Sequence, residues 1–132
     1  MFVGKGYTIA YPETVEEVTD SLGNKVLEDK AGVWSANTSL SDDYAYDETV
    51  AKFSKNLQNS EGFKSENLTI GDMEAVKLTY VDSIGSNVLY LIKLNDNAAV
   101  FLNFSAQKSA TTVEQLETNA DLVATASGVK AG

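Results

Sequence analysis

Met73-Glu74-Ala75-Val76-Lys77-Leu78-Thr79-Tyr80-Val81, then Asp82-Ser83-Ile84-Gly85-Ser86-Asn87, then Val88-Leu89-Tyr90-Leu91-Ile92 is the stretch on which the fold turns. In its first run Val76, Leu78 and Tyr80 alternate with Ala75, Lys77, Thr79 and Val81, so one face is apolar and the other half-polar. That period of two is a strand. The run Val88–Ile92 is apolar on both faces, as expected of a strand in the middle of a sheet. Asn95-Asp96-Asn97 supplies turn residues, after which Val100, Leu102 and Phe104 resume the alternation against Phe101, Asn103 and Ser105. Met73–Ala106 therefore predicts an antiparallel meander.

Upstream, Gly62–Ile70 ends at Gly71-Asp72, so a fourth strand can enter the meander through a tight turn. Tyr7, Ile9 and Tyr11 alternate with Thr8 and Ala10 before Pro12, whose missing N–H ends ladder pairing and makes a short first strand. Leu22-Gly23-Asn24-Lys25 reads as a turn, with Val26-Leu27 and Gly32–Ala36 as further strand candidates. Two segments change to helical spacing. Tyr46, Val50, Phe53 and Leu57 form one stripe, with Gly62 just beyond it; Val113, Leu116, Ala120 and Val123 form another. Thr111 with Glu114 has the pattern of a capping box, and Gly128 is a plausible stop. Strands, helix, meander and closing helix together predict one α+β domain over residues 1–132. Its antiparallel sheet is flanked by helices. Because the sheet is apolar on both sides around Leu89, Leu91 and Phe101, we expect a three-layer α/β/α sandwich with a helix on each face.

Composition narrows the chemistry. The chain contains no histidine, cysteine or arginine. The imidazole proton shuttle, the thiolate nucleophile, nitrogen and sulfur metal ligands and the bidentate guanidinium are thereby absent. Ten lysines against nineteen carboxylates give a net charge of −9. That field opposes nucleic acid and anionic lipid. No stretch is long and apolar enough to span a bilayer, and Met1-Phe2-Val3-Gly4-Lys5 resembles no signal peptide. Since the first strand starts so near Met1, we expect the natural precursor to carry an export signal, with room for a lipid anchor, ahead of it.

The order of elements resembles the PsbP-like superfamily, which includes the Mog-type Ran-binding proteins and the bacterial DcrB-like lipoproteins. The residues that carry the likeness are Gly6-Tyr7-Thr8-Ile9-Ala10-Tyr11-Pro12, the helix from about Asp43 to Asn59, then Gly62-Phe63-Lys64 and Thr69-Ile70-Gly71-Asp72-Met73-Glu74-Ala75, with the final helix closing the match. The resemblance implies an antiparallel sheet flanked by helices, acting as a protein-binding or accessory module rather than an enzyme. In bacteria such domains are commonly exported lipoproteins.

The densest polar cluster is Ser41–Glu48. Asp42, Asp43, Asp47 and Glu48 could gather oxygen ligands for calcium. The same residues also suit a helix N-terminus, where carboxylates oppose the positive end of the dipole and accept free N–H groups. Carboxylate pairs are what a glycosidase uses, but nineteen acidic residues make chance pairs inevitable. Gly4-Lys5-Gly6 lacks the spacing of a phosphate loop. Trp34 and Tyr44 are candidates for a binding surface or for packing, whereas Tyr46 lies on the helix stripe and should pack. The leading expectation is a non-enzymatic, extracytoplasmic bacterial domain, a monomer or weak dimer, that binds a protein partner without a cofactor. A carboxylate-based enzyme or calcium-dependent carbohydrate binder, and an intracellular adaptor of Mog type, are the alternatives.

Overall fold

The computed structural model describes the chain from Met1 to Gly132 apart from Lys108 and Ser127, with the backbone alone for Thr125 and Ala126. The elements run β1 (Phe2–Val3), β2 (Tyr7–Ile9), β3 (Val15–Thr19), β4 (Lys25–Asp29), β5 (Ser35–Ser41), α1 (Tyr46–Leu57), β6 (Glu61–Ile70), β7 (Met73–Val81), β8 (Gly85–Asn95) and β9 (Ala98–Gln107). There follow α2 (Val113–Asp121), a π-helical turn over Leu122–Ala126, and β10 (Val129–Ala131). The fold is α+β: antiparallel sheets and two helices.

Seven strands form the main sheet in the order β3-β4-β5-β9-β8-β7-β6. The meander β7–β8–β9 is at its centre as the alternation predicts, with Leu78 opposite Leu89 and Tyr90 opposite Leu102. β8 begins at Gly85, before the Val88 that the apolar run suggested. The cause is Asp82, whose Oδ1 accepts from the Ile84 and Gly85 N–H groups at 2.9 Å each and so tightens the turn. Pairing then extends to Val81 opposite Ser86. Gly85 is required there, because a Cβ would run into the Ala106 carbonyl.

The expected single sheet is corrected at its start. β2 does not join the main sheet but pairs with β1 and β10 in a separate three-stranded one. Gly128, with φ of +87°, reverses the chain after α2 and sets Val129 opposite Ile9. The two sheets meet through the core and through the Tyr7 hydroxyl, 2.8 Å from the Thr38 hydroxyl of β5.

Successive β8 side chains divide between two apolar clusters. Val88, Tyr90 and Ile92 pack with Leu116 and Ala120 of α2 and with Tyr7, Ile9 and Val129 of the small sheet. Leu89 and Leu91 pack with Tyr46 and, beyond it, Val50, Phe53 and Leu57 of α1, which is the stripe read from the spacing. The Tyr46 hydroxyl donates to the Leu91 carbonyl at 2.8 Å. Burial pushes its pKa up to about 12.

Both helix starts differ from expectation. α1 is shorter than Asp43–Asn59, and its N-cap is Ala45 with no side-chain cap, so the acidic residues do not accept its N–H groups as capping would require. Instead the Tyr46 N–H donates to the Asp96 carbonyl at 2.8 Å, tying the helix to the β8–β9 turn. In α2 the capping box is Thr112 with Gln115, one position beyond Thr111 and Glu114. Thr111 is buried, and its hydroxyl points to the Gln115 side chain at 3.0 Å, leaving Thr112 to cap.

Candidate functional site

β6, β7 and β8 set Glu66, Lys77 and Tyr90 in one row across the sheet, with Lys77 opposite both of the others. The row lies on the side that carries α2, where Glu117 and Asp121 are one helical turn apart and reach the same point. The Lys77 ammonium sits 2.7 Å from Glu117, 3.2 Å from Asp121 and 3.2 Å from Glu66. Its side chain is 7% exposed, whereas Glu66 is 62% exposed and forms the outer wall. The Tyr90 hydroxyl donates to Asp121 and closes the inner side.

Electrostatics fix the state of these groups. Burial works against the Lys77 charge, but the Glu117 hydrogen bond and the Asp121 and Glu66 carboxylates outweigh it and hold the pKa above the ordinary lysine value. Lys77 therefore keeps its proton at neutral pH and has no lone pair with which to act as nucleophile or base. Burial, followed by the Asp121 hydrogen bond, raises the Tyr90 phenol as well. The cluster holds one cation among three carboxylates in a fixed geometry.

Beside it a groove of about 420 Å3 runs along the sheet edge, lined by Lys64, Ser65, Glu66, Lys77, Thr79 and Glu117. Thr79 is 2% exposed, and its hydroxyl has no hydrogen-bond partner among the described residues. A buried hydroxyl without a partner is unusual and asks for a reason. The π-helical turn starts immediately after Asp121. Such turns recur at functional sites. The groove can receive a polar group by offering a cationic rim at Lys64, an anionic wall at Glu66 and Glu117, and the Thr79 hydroxyl between them.

None of these residues was singled out from the sequence. The available signals were Lys77 and Thr79 on the half-polar face of β7, which the structure buries, and the Glu117/Asp121 spacing on α2. Of the residues that were singled out, Asp42 and Asp43 are exposed ahead of α1, and Asp47 and Glu48 are exposed in its first turn. Among the described residues no group of three or more carboxylates is arranged to hold a metal ion. Trp34 is 6% exposed and packs edge-on to Phe104 with ring centroids 5.2 Å apart. Tyr44 is exposed, with the Lys52 ammonium 4.0 Å from its ring centroid. The structure thus scatters the acidic candidates and the two aromatic ones and assembles a different cluster.

No family profile and no curated protein matches the sequence. Among solved structures, the fold is similar to the crystal structure of LpqN, described as involved in cell envelope biogenesis of Mycobacterium tuberculosis, with a TM-score of 0.61 at 13% identity. The likeness covers 89% of this chain and 79% of that one. At that identity it establishes a shared α+β fold of antiparallel sheets and two helices.

Proposed function

We propose that this chain is a non-enzymatic binding or accessory domain of a bacterial envelope protein, acting outside the cytoplasm by holding a protein partner. The observation that carries the reading is the fold likeness to LpqN over 89% of the chain. Two further features support it. Histidine, cysteine and arginine, which many nucleophilic and metal-assisted sites use, are missing from the sequence, and the most buried lysine among the described residues is held protonated by its carboxylate neighbours. In this reading the fold is PsbP-like, a three-layer scaffold with α1 and α2 screening opposite faces of the main sheet, and the groove beside Lys77 belongs to the binding surface. Among the described residues no helix is long and apolar enough to cross a membrane.

The test is to express the complete reading frame with an epitope tag in its own host, fractionate the cells and treat intact cells with external protease after permeabilising the outer layer. The tagged protein is expected in the envelope fraction and to be digested from outside. Recovery with the cytosolic proteins, protected from protease, would overturn the reading.

A further inference from the structure

β6 is the last strand of the main sheet, so one of its sides carries backbone N–H and C=O groups with no strand beside them. It has no proline, and Lys64, Ser65, Glu66 and Asn67 at its middle are all exposed. Lys64 makes no ion pair within its own chain among the described residues, and Glu66 pairs with Lys77, at 3.2 Å. We infer that this edge pairs with the same edge of a second copy, antiparallel about a two-fold axis through Ser65.

The register follows from charge. A two-fold axis perpendicular to the sheet pairs residues that share a face, so the axis must pass through a residue. Centred on Lys64 it sets two ammonium groups against each other, and centred on Glu66 it opposes two carboxylates. Centred on Asn67 it leaves all four charges facing Ile70 and Leu68. Only the Ser65 register sets each Lys64 opposite a Glu66 of the second copy. Opposite charges in direct cross-strand pairs attract, and like charges in that position repel. The rung then continues the intramolecular one: Lys77, its Glu66, and Lys64 of the second copy stand in a row, so the carboxylate lies between two ammonium groups. The same contact walls the open side of the Lys77 groove, which lies along this edge.

Two features keep the association weak. The bulge between Glu61 and Lys64 bends β6 and limits the straight overlap to a few residues around Ser65. Each copy also carries a net charge of −9, which the local pairs must overcome.

Sedimentation equilibrium from about 10 µM to about 1 mM, the range in which small interfaces associate, is expected to show the mass rising from 14.2 kDa toward twice that value. Lys64→Glu should raise the concentration of half-association about tenfold, since both rungs change from attraction to repulsion. Lys64→Glu combined with Glu66→Lys should restore it in part, because the ammonium introduced at position 66 also faces Lys77 within the chain. Because the chain has no cysteine, Ser65→Cys gives an unambiguous probe. It should cross-link on mild oxidation, whereas Asn67→Cys, two residues along the same face, should not. A monomer at every concentration, cross-linking at Asn67 as readily as at Ser65, or a folded double swap that associates no more tightly than Lys64→Glu alone would each overturn the inference.

Discussion

A single oxygen distinguishes Thr79 from the valine that would fill the same space. Its side chain is buried on β7, and its hydroxyl is without a partner among the described residues. Desolvating a hydroxyl without replacing its bond to water costs about 1–3 kcal/mol. Thr79→Val keeps the shape and the β-branching that suits a strand, so it should raise stability by about 1 kcal/mol, read as a higher urea midpoint with unchanged slope. Most substitutions in a core lower stability. A gain here would mark Thr79 as kept for something other than folding, in agreement with its place in the groove wall. A loss would mean that the hydroxyl has a partner in solution, such as a bound water, and the groove would lose that support.

Between elements, the bond from α2 to the sheet has an apolar and an ionic part. Leu116 and Ala120 supply the first, and Lys77 joins Glu117 and Asp121 of the helix to Glu66 of β6 in the second. Lys77→Met retains much of the aliphatic stem but leaves three carboxylates facing one another without a cation, and it should cost about 2–4 kcal/mol. The pH dependence has a definite sign. Lys77, Tyr46 and Tyr90 all have folded pKa values raised above 10.5, 10.0 and 10.0 respectively, so the folded state holds these protons more tightly than the unfolded chain. Their stabilisation is complete below about pH 10 and is lost as pH rises, for Tyr46 through about 12. Tyr7, Tyr11, Tyr80 and Lys93 are shifted in the same direction, so urea unfolding from pH 8 to 11 should show stability falling in the wild type, and falling less steeply in Lys77→Met, where one of these groups is gone. Equal slopes would mean that Lys77 titrates as it does in the unfolded chain.

Over the whole molecule, what was legible in the sequence is what neighbours along the chain decide. The meander shows because its period of two and its turn residues are local, and α1 shows because Tyr46, Val50, Phe53 and Leu57 share one stripe. The pairing of Leu40 with Val100 and of Ile9 with Val129 joins segments far apart in sequence, and no local pattern announces it. The Lys77 cluster was hidden for the same reason, since its carboxylates come from β6 and α2 and meet only when the sheet and helix have packed. The acidic run Asp42–Glu48 stood out by density alone, yet density along a chain does not make side chains converge. β10, like β1 and β3, was not visible, being three residues long with Val129 alone buried, although it completes the small sheet. A chain ending at Gly128 tests how separate that sheet is. It would lose the buried Val129 side chain, worth about 1.5–3 kcal/mol, and the ladder to β2, whose bonds contribute about 0.5–1.5 kcal/mol each. Tyr7 and Ile9 would then be left in a core that has lost one wall. Hydrogen exchange should show the amides of Tyr7, Thr8 and Ile9 opening at low free energy while Leu89 and Leu91, paired on both sides within the main sheet, stay protected. If protection fell equally in both, the two sheets would unfold as one unit, and the Tyr7–Thr38 contact and the shared core would be joining them more strongly than their separate hydrogen-bond ladders suggest.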